Sequence, residues 1–414
     1  MKLVCWISTK PRRFLPALVC ATALLSALVA RAQIVGVSDP APNSPPPNLR
    51  PLASGDGATD RATAPFQWGS VSLRPHALYR LTNADGIQSA PGIPTETTIN
   101  TFSPGLLLEI GRRWTVDYTP TWTKYSHSGF DDAFEHALTV FGNALFTNGS
   151  IHFSEDYDLT DSPRIETGFQ TKQETSVTSL DVNYELSRKT RIEVGLNQDL
   201  RWVESAPNSF DWSIQGLYHY IVSERLDIAG GFGMGYTAVD PGTDMFYTRP
   251  QVRVGWKPTG KLSFDAHYGR ETREFDKDGA VDLNIPNYGV AAFYQPFEYT
   301  TLSLGASRSV SASYFSDQVT DNETLSLGLS QRLFRRLNFN ASANQTDTQY
   351  LPSGAPVISV IREDTSYRYN LRLSTSFLRR GTIGVVYQYT RNSTNAEGFG
   401  FSNNEIGLEI SYAY

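Results

Sequence analysis

Arginines at alternate positions are the residues best able to act together. Arg74, His76 and Arg80 form one row, Arg191, Glu193, Asp199 and Arg201 a second, Arg249 and Arg253 a third, and Arg368 and Arg372 a fourth. Residues two apart point the same way only in an extended chain, so these rows read as charged stripes along strands. Two roles are open to them. Facing acids across a water-filled passage, Arg74, Arg80, Arg191, Arg201, Arg249, Arg253, Arg368 and Arg372 would line a pore and orient polar solutes in their field. Paired with neighbours on adjacent strands, they would hold the wall together, each pair contributing little in water. Pairing is the favoured role of the two.

Other chemistry finds less support. The histidines are His76, His127, His136, His152, His219 and His267. Asp131, Asp132 and His136 could form an acid/base group, but an acidic surface loop beside a wall histidine explains them better. No His/Asp/Glu cluster has metal-ligand spacing, and no cofactor is expected. Residues 230–235, GGFGMG, look like a phosphate loop. They continue an alternating segment (Ile228, Phe232, Met234 and Tyr236 on one face) and no helix follows, so strand glycines are expected. Catalysis is not expected.

The elements that must carry these rows have a period of two. In residues 114–122, Trp114, Val116, Tyr118, Pro120 and Trp122 share one face, and Thr115, Asp117, Thr119 and Thr121 the other. The same alternation recurs at 180–186, 210–220, 367–373 and 406–414. Eighteen segments follow it, near 71–81, 99–110, 114–125, 136–146, 151–157, 177–186, 190–202, 210–222, 226–236, 246–256, 262–273, 287–295, 300–310, 323–332, 337–347, 366–377, 382–391 and 404–414. Most are about ten residues long, enough to cross a bilayer when tilted. Short connections such as 111–113, 187–189 and 378–381 alternate with long ones such as 82–98, 158–176 and 348–365. That rhythm, an even count and aromatics near segment ends (Trp114, Trp122, Trp202, Trp256, Phe377) predict a transmembrane, antiparallel, up-and-down β-barrel of about eighteen strands. A soluble sandwich or propeller would also alternate but needs no such rhythm. Charge sorts by side: the nine long connections hold 21 acidic and 4 basic residues, the eight short ones 2 and 11. Basic turns would face anionic phospholipid, and acidic loops would face lipopolysaccharide through divalent cations.

Composition agrees. The chain has 414 residues, a formal charge of −6, and a mean hydropathy of −0.32. Past the N-terminus no apolar run approaches the ~18 residues of a membrane helix, and at this charge no nucleic-acid partner is expected. The first 32 residues read as a secretion signal: Lys2, Lys10, Arg12 and Arg13, then an apolar stretch from Phe14 to Ala30, then Ala30-Arg31-Ala32 as cleavage site. Cys5 and Cys20 lie inside it, so the processed chain carries no thiol chemistry. Residues 33–69 are rich in proline and read as a periplasmic leader, a plain linker being favoured over a docking segment for a periplasmic partner. The barrel then occupies 70–414.

The chain ends Ile410-Ser411-Tyr412-Ala413-Tyr414, apolar at alternate positions and aromatic last. This resembles the C-terminal signal, here Tyr412 and Tyr414, read by the outer-membrane barrel assembly machinery, although that pattern prefers glycine where Glu409 stands. The layout of 70–414 resembles the outer-membrane porins of the beta-barrel porin 2 type. The resemblance implies a channel in the outer membrane of a Gram-negative-type bacterium, and some such proteins are associated with exopolysaccharide export; the even strand count together with the N-terminal leader puts both termini on the short-turn, periplasmic side. The expected function is passive diffusion of small polar solutes through a charge-lined lumen. Polysaccharide export and a structural or adhesive barrel are the alternatives.

Overall fold

The computed structural model describes residues 64–334, 336–355 and 360–414. The signal with Ala30 and Ala32, and nearly all of the leader, lie outside the described residues. A short strand, β1 (Phe66–Trp68), falls within the stretch read as leader and pairs with the first residues of the next strand.

Eighteen long strands follow: β2 (Val71–Ala90), β3 (Ile93–Ile110), β4 (Trp114–Tyr125), β5 (Ala133–Phe146), β6 (Gly149–Pro163), β7 (Gln170–Ser187), β8 (Thr190–Val203), β9 (Asn208–Ser223), β10 (Leu226–Asp240), β11 (Met245–Thr259), β12 (Leu262–Phe275), β13 (Leu283–Phe297), β14 (Thr300–Ala312), β15 (Gln318–Leu333), β16 (Leu337–Pro352), β17 (Arg362–Phe377), β18 (Gly381–Thr394) and β19 (Phe401–Ala413). Each pairs antiparallel with its sequence neighbours, and β19 pairs with β2 from Ala413↔His76 to Glu405↔Ala84, so the sheet closes. Closure leaves no open edge in lipid, where an unpaired backbone group would find no water.

All eighteen expected segments are strands. Their ends at the short turns match to within three residues, because there the aromatic girdle meets the turn directly. Arg112, Arg113, Arg188, Lys189, Arg379 and Arg380 sit in those turns. The opposite ends run further than expected. Residues 82–98 are not a loop: β2 and β3 pair as far as Ala90↔Ile93, leaving only 91–92 as connection. The supposed loop 158–176 shrinks to 164–169, and 348–365 to 353–361. The backbone ladder continues beyond the lipid, where side chains no longer need to alternate between greasy and polar.

The outward faces carry exposed apolar side chains, among them Phe102, Leu106, Phe232, Val252, Leu304, Leu327, Leu371 and Leu408. Aromatic stacks mark both rims: Trp256 on Phe264 at 5.5 Å near the short turns, and Phe102–Trp122–Phe134 at 6.1 and 4.9 Å toward the other end. Such belts fit the two bilayer interfaces. GGFGMG lies inside β10 as expected; a Cβ on Gly231 would strike the Gly216 carbonyl of β9.

A carboxylate on β6 interrupts the belt. Glu155 on β6 lies across from Val140 and Thr178, on the outward side with Phe153 and Tyr157. It accepts hydrogen bonds from the Ser176 (2.6 Å) and Thr178 hydroxyls of β7. A charge on the lipid face costs free energy that two hydroxyls only partly offset. Glu155→Leu is therefore expected to stabilise the barrel by about 1 kcal/mol. Urea unfolding in lipid vesicles checks this: a lower midpoint for the variant would contradict it.

Candidate functional site

The inward face is polar, and strand register places every arginine of the sequence pattern on it. Arg74 Nε lies 3.2 Å from Glu109 of β3. Arg80 of β2 and Arg372 of β17 grip one carboxylate, Glu409 of β19, at 2.8 and 2.5 Å. Arg249 donates twice to Glu271, at 3.0 and 2.6 Å. Arg191 reaches Asp227 at 3.0 Å. His219 stands 3.1 Å from both Asp227 and Glu193, and Arg253 bridges Glu193 at 3.4 Å and Asp265 at 3.2 Å. The result is a charge ladder running from β8 to β12. Arg368 lies inward between Asn344 and Thr390, its Nε buried without a hydrogen bond. These groups alternate in sign along the wall and mostly satisfy one another.

Arg201 differs. Its guanidinium crosses the lumen to the β14–β15 connection, donating to the carbonyls of Ala312 and Ser313 at 3.0 and 3.2 Å and lying 4.3 Å from the Tyr314 ring centre. β8 and β14 are not neighbours in the sheet, so this contact spans the barrel. The hairpin tip 313–317 is folded into the mouth. Tyr314 is 2% exposed, and its hydroxyl donates to Gln173 of β7.

Glu166, in the 164–169 connection, holds the tip from the other side. Its carboxylate accepts from Ser313 Oγ at 2.6 Å and from the Tyr314 amide at 2.8 Å. Its backbone carbonyl accepts from Arg362 at 3.0 Å. Burial pushes the Glu166 carboxyl above its ordinary value, against the hydrogen bonds and the Arg201 and Arg362 charges that lower it. Arg362 is also paired with Asp364 and lies 4.0 Å over Phe399 and 4.7 Å over Tyr350. Beneath the tip, Met245, Leu283, Ile285, Ala312, Val319 and Leu351 form an apolar cluster. Arg273 is buried beside it, paired with Glu271 and donating to the Val310 carbonyl at 2.6 Å. The mouth is thus narrowed by a packed assembly of loop and strand-end side chains.

The sequence pattern missed Glu166, Tyr314, Arg273, Arg362 and Glu409. Glu166 and Arg362 lay in stretches taken for acidic outer loops; they point into the mouth instead of toward lipopolysaccharide. Asp131, Asp132 and His136 do not converge. His136 is on the outer face with its Nδ1 2.7 Å from the Tyr118 hydroxyl, while Asp132 accepts from the Tyr125 amide at 3.3 Å. Among the described residues no group of three His, Cys, Asp or Glu could hold a metal.

A closed ring of eighteen antiparallel strands, greasy outside and polar within, is a membrane-spanning β-barrel. No protein-family model and no curated protein matches the sequence. Solved structures to which the chain is similar include proteins of two bacteria. Against OccK3 (OpdO) of Pseudomonas aeruginosa the identity is 12% and the TM-score 0.45, over 83% of this chain and 95% of that one. Against OprD of Pseudomonas aeruginosa the values are 12% and 0.42, over 86% and 98%. Against OccAB3 of Acinetobacter baumannii they are 8% and 0.45, over 84% and 100%.

Proposed function

We propose that the protein is an outer-membrane channel through which small polar solutes diffuse passively. One observation carries this reading: a closed barrel whose outward residues suit lipid encloses a lumen of hydrated, paired charges. An eighteen-strand circumference is wide enough for an aqueous path. The basic short turns suit the periplasmic leaflet, which puts the chain termini in the periplasm. Exposed Asp276, Asp278 and Asp282 on the opposite side suit divalent bridges to lipopolysaccharide. Tyr412 and Tyr414, side by side at 6.1 Å with Arg380 3.4 Å over the Tyr414 ring, suit recognition by the barrel assembly machinery. In this reading the six acid-paired arginines act through the field of their pairs, Arg201 braces the mouth and Arg368 adds its charge to the wall, with no covalent step.

Planar-bilayer recording tests the proposal. The purified barrel is expected to give discrete, ohmic current steps. Replacing Arg249 and Arg253 by glutamine removes two positive charges from the β11 wall and is expected to shift ion selectivity toward cations. A pure, folded barrel that never conducts would remove the channel reading.

A further inference from the structure

The lumen is chemically two-sided. Inward charges line the wall from β17 through β19 and β2 to β12, with the ladder proper on β8 to β12. The wall formed by β14, β15 and β16 carries no charge at its inward positions over 301–311, 320–330 and 338–350. Register settles which residues face in. Ser303 lies across from Gly328, and Gly328 across from Ser342, whereas Leu304, Leu327 and Ala343 form the alternate, lipid-facing row. The inward surface is built from serine, threonine and asparagine: Ser303, Ser307, Ser326, Asn340, Ser342 and Asn344 form its centre. It is also smooth. The Ser303 hydroxyl lies over Gly328 and the Ser326 hydroxyl over Gly305, each where a larger side chain would clash. Asn340 and Asn344 make no side-chain hydrogen bond among the described residues, and each amide offers donors and an acceptor together.

Two aromatic rings break the polar surface. Phe293 of β13 lies across from Ser303, on the inward side, and is 43% exposed; its neighbour Tyr294 points outward with Leu302. Phe141 of β5 lies inward across from Thr115 and Ser154 and is 45% exposed. Both stand near the short-turn end. An apolar ring bared to a wet lumen gains when a ligand's C–H surface covers it. On β14 and β15 the array offers an ion or zwitterion no counter-charge, and at its far border Arg372 and Arg368 of β17, across from Asn340 and Asn344, add guanidinium donors that suit hydroxyls. A solute with one flat C–H face and a rim of hydroxyls matches both features.

We propose that the β14–β16 wall, with Phe293 at its end, is a binding track for small neutral saccharides. The ring stacks on a sugar face while serine and asparagine exchange hydrogen bonds with its hydroxyls. This inference rests on the channel reading and narrows its substrate class.

Maltotriose is the probe. Added to the reconstituted barrel, it is expected to interrupt the ion current reversibly and in proportion to occupancy. Phe293→Ala combined with Asn340→Ala and Asn344→Ala is expected to weaken the block about tenfold, the scale of one lost ring contact and a few hydrogen bonds. Phe102→Ala, the same ring removed from the lipid face, leaves the block constant unaltered. Current that maltotriose never interrupts overturns the proposal, as does a block equally strong in the triple variant. Absence of any current removes the channel reading alone. The track is then judged by calorimetric titration of maltotriose into the barrel in detergent: heat that the triple variant loses upholds it, and no heat overturns it.

Discussion

Replacing Ser313–Gln318 by Asn-Gly is expected to raise single-channel conductance on the order of fivefold, because the segment that fills the mouth is removed while the wall stays closed. Ala312 and Val319 are already a cross-strand pair, so a two-residue turn can join them without changing register. The deletion takes away the Tyr314 ring and the carbonyl of Ser313 that Arg201 holds, and the hydroxyl and amide that Glu166 holds. Barrel closure depends on the ladder from β2 to β19 and not on the tip, so unfolding should change little. Unaltered conductance with an intact fold would mean that the tip does not limit the passage.

Acidity should act on the same latch. The Glu166 carboxyl is raised above 4.5 by burial, so the folded mouth binds its proton more readily than an open chain does. Its contribution to docking is then full at pH below 4.5 and fades as pH rises through the raised value. Open time should accordingly be shorter near pH 4 than at pH 8. The neighbouring Arg201 and Arg362 charges oppose the rise of the Glu166 value without cancelling it.

The difference between what the sequence discloses and what it hides has a physical origin. Trp114, Val116 and Tyr118 must meet lipid, and Asp117 must not, so a period of two appears wherever the strand is in the bilayer. The same parity places Arg74, Arg191 and Arg249 on the inner wall. Above the lipid this selection ends. Residues 82–90 and 93–98 pair as strands although their composition looks like a loop. Partners across the lumen leave no local trace either: Arg201 and Ser313 are far apart in the chain, and strand tilt and hairpin bend bring them together. Glu409 could have been noticed. It stands inward among Glu405, Gly407 and Ser411, at a position where the resembled terminal pattern prefers glycine, and a carboxylate there requires cations on flanking strands.

Those cations make Glu409 the most vulnerable single residue of the wall. It is 2% exposed and holds Arg80 across the β19–β2 seam and Arg372 two strands away on β17. Glu409→Ala leaves two half-buried guanidinium groups without their shared partner, at a cost of about 3 kcal/mol. Some of the usual penalty is lost because water in the lumen reaches Arg372. The seam joins the first and last barrel strands, which close after every local hairpin has formed, so folding should also slow. Urea titration and the heat-dependent gel shift of the barrel measure both effects. Glu409→Gln keeps two acceptor lone pairs and should lose less. Arg80→Met, Glu409→Met and Arg372→Met together remove the charges as a set and should recover most of the loss, because the cost arises from unpaired charge rather than from the missing contact. A triple variant as unstable as Glu409→Ala would show instead that the three side chains matter through their packing.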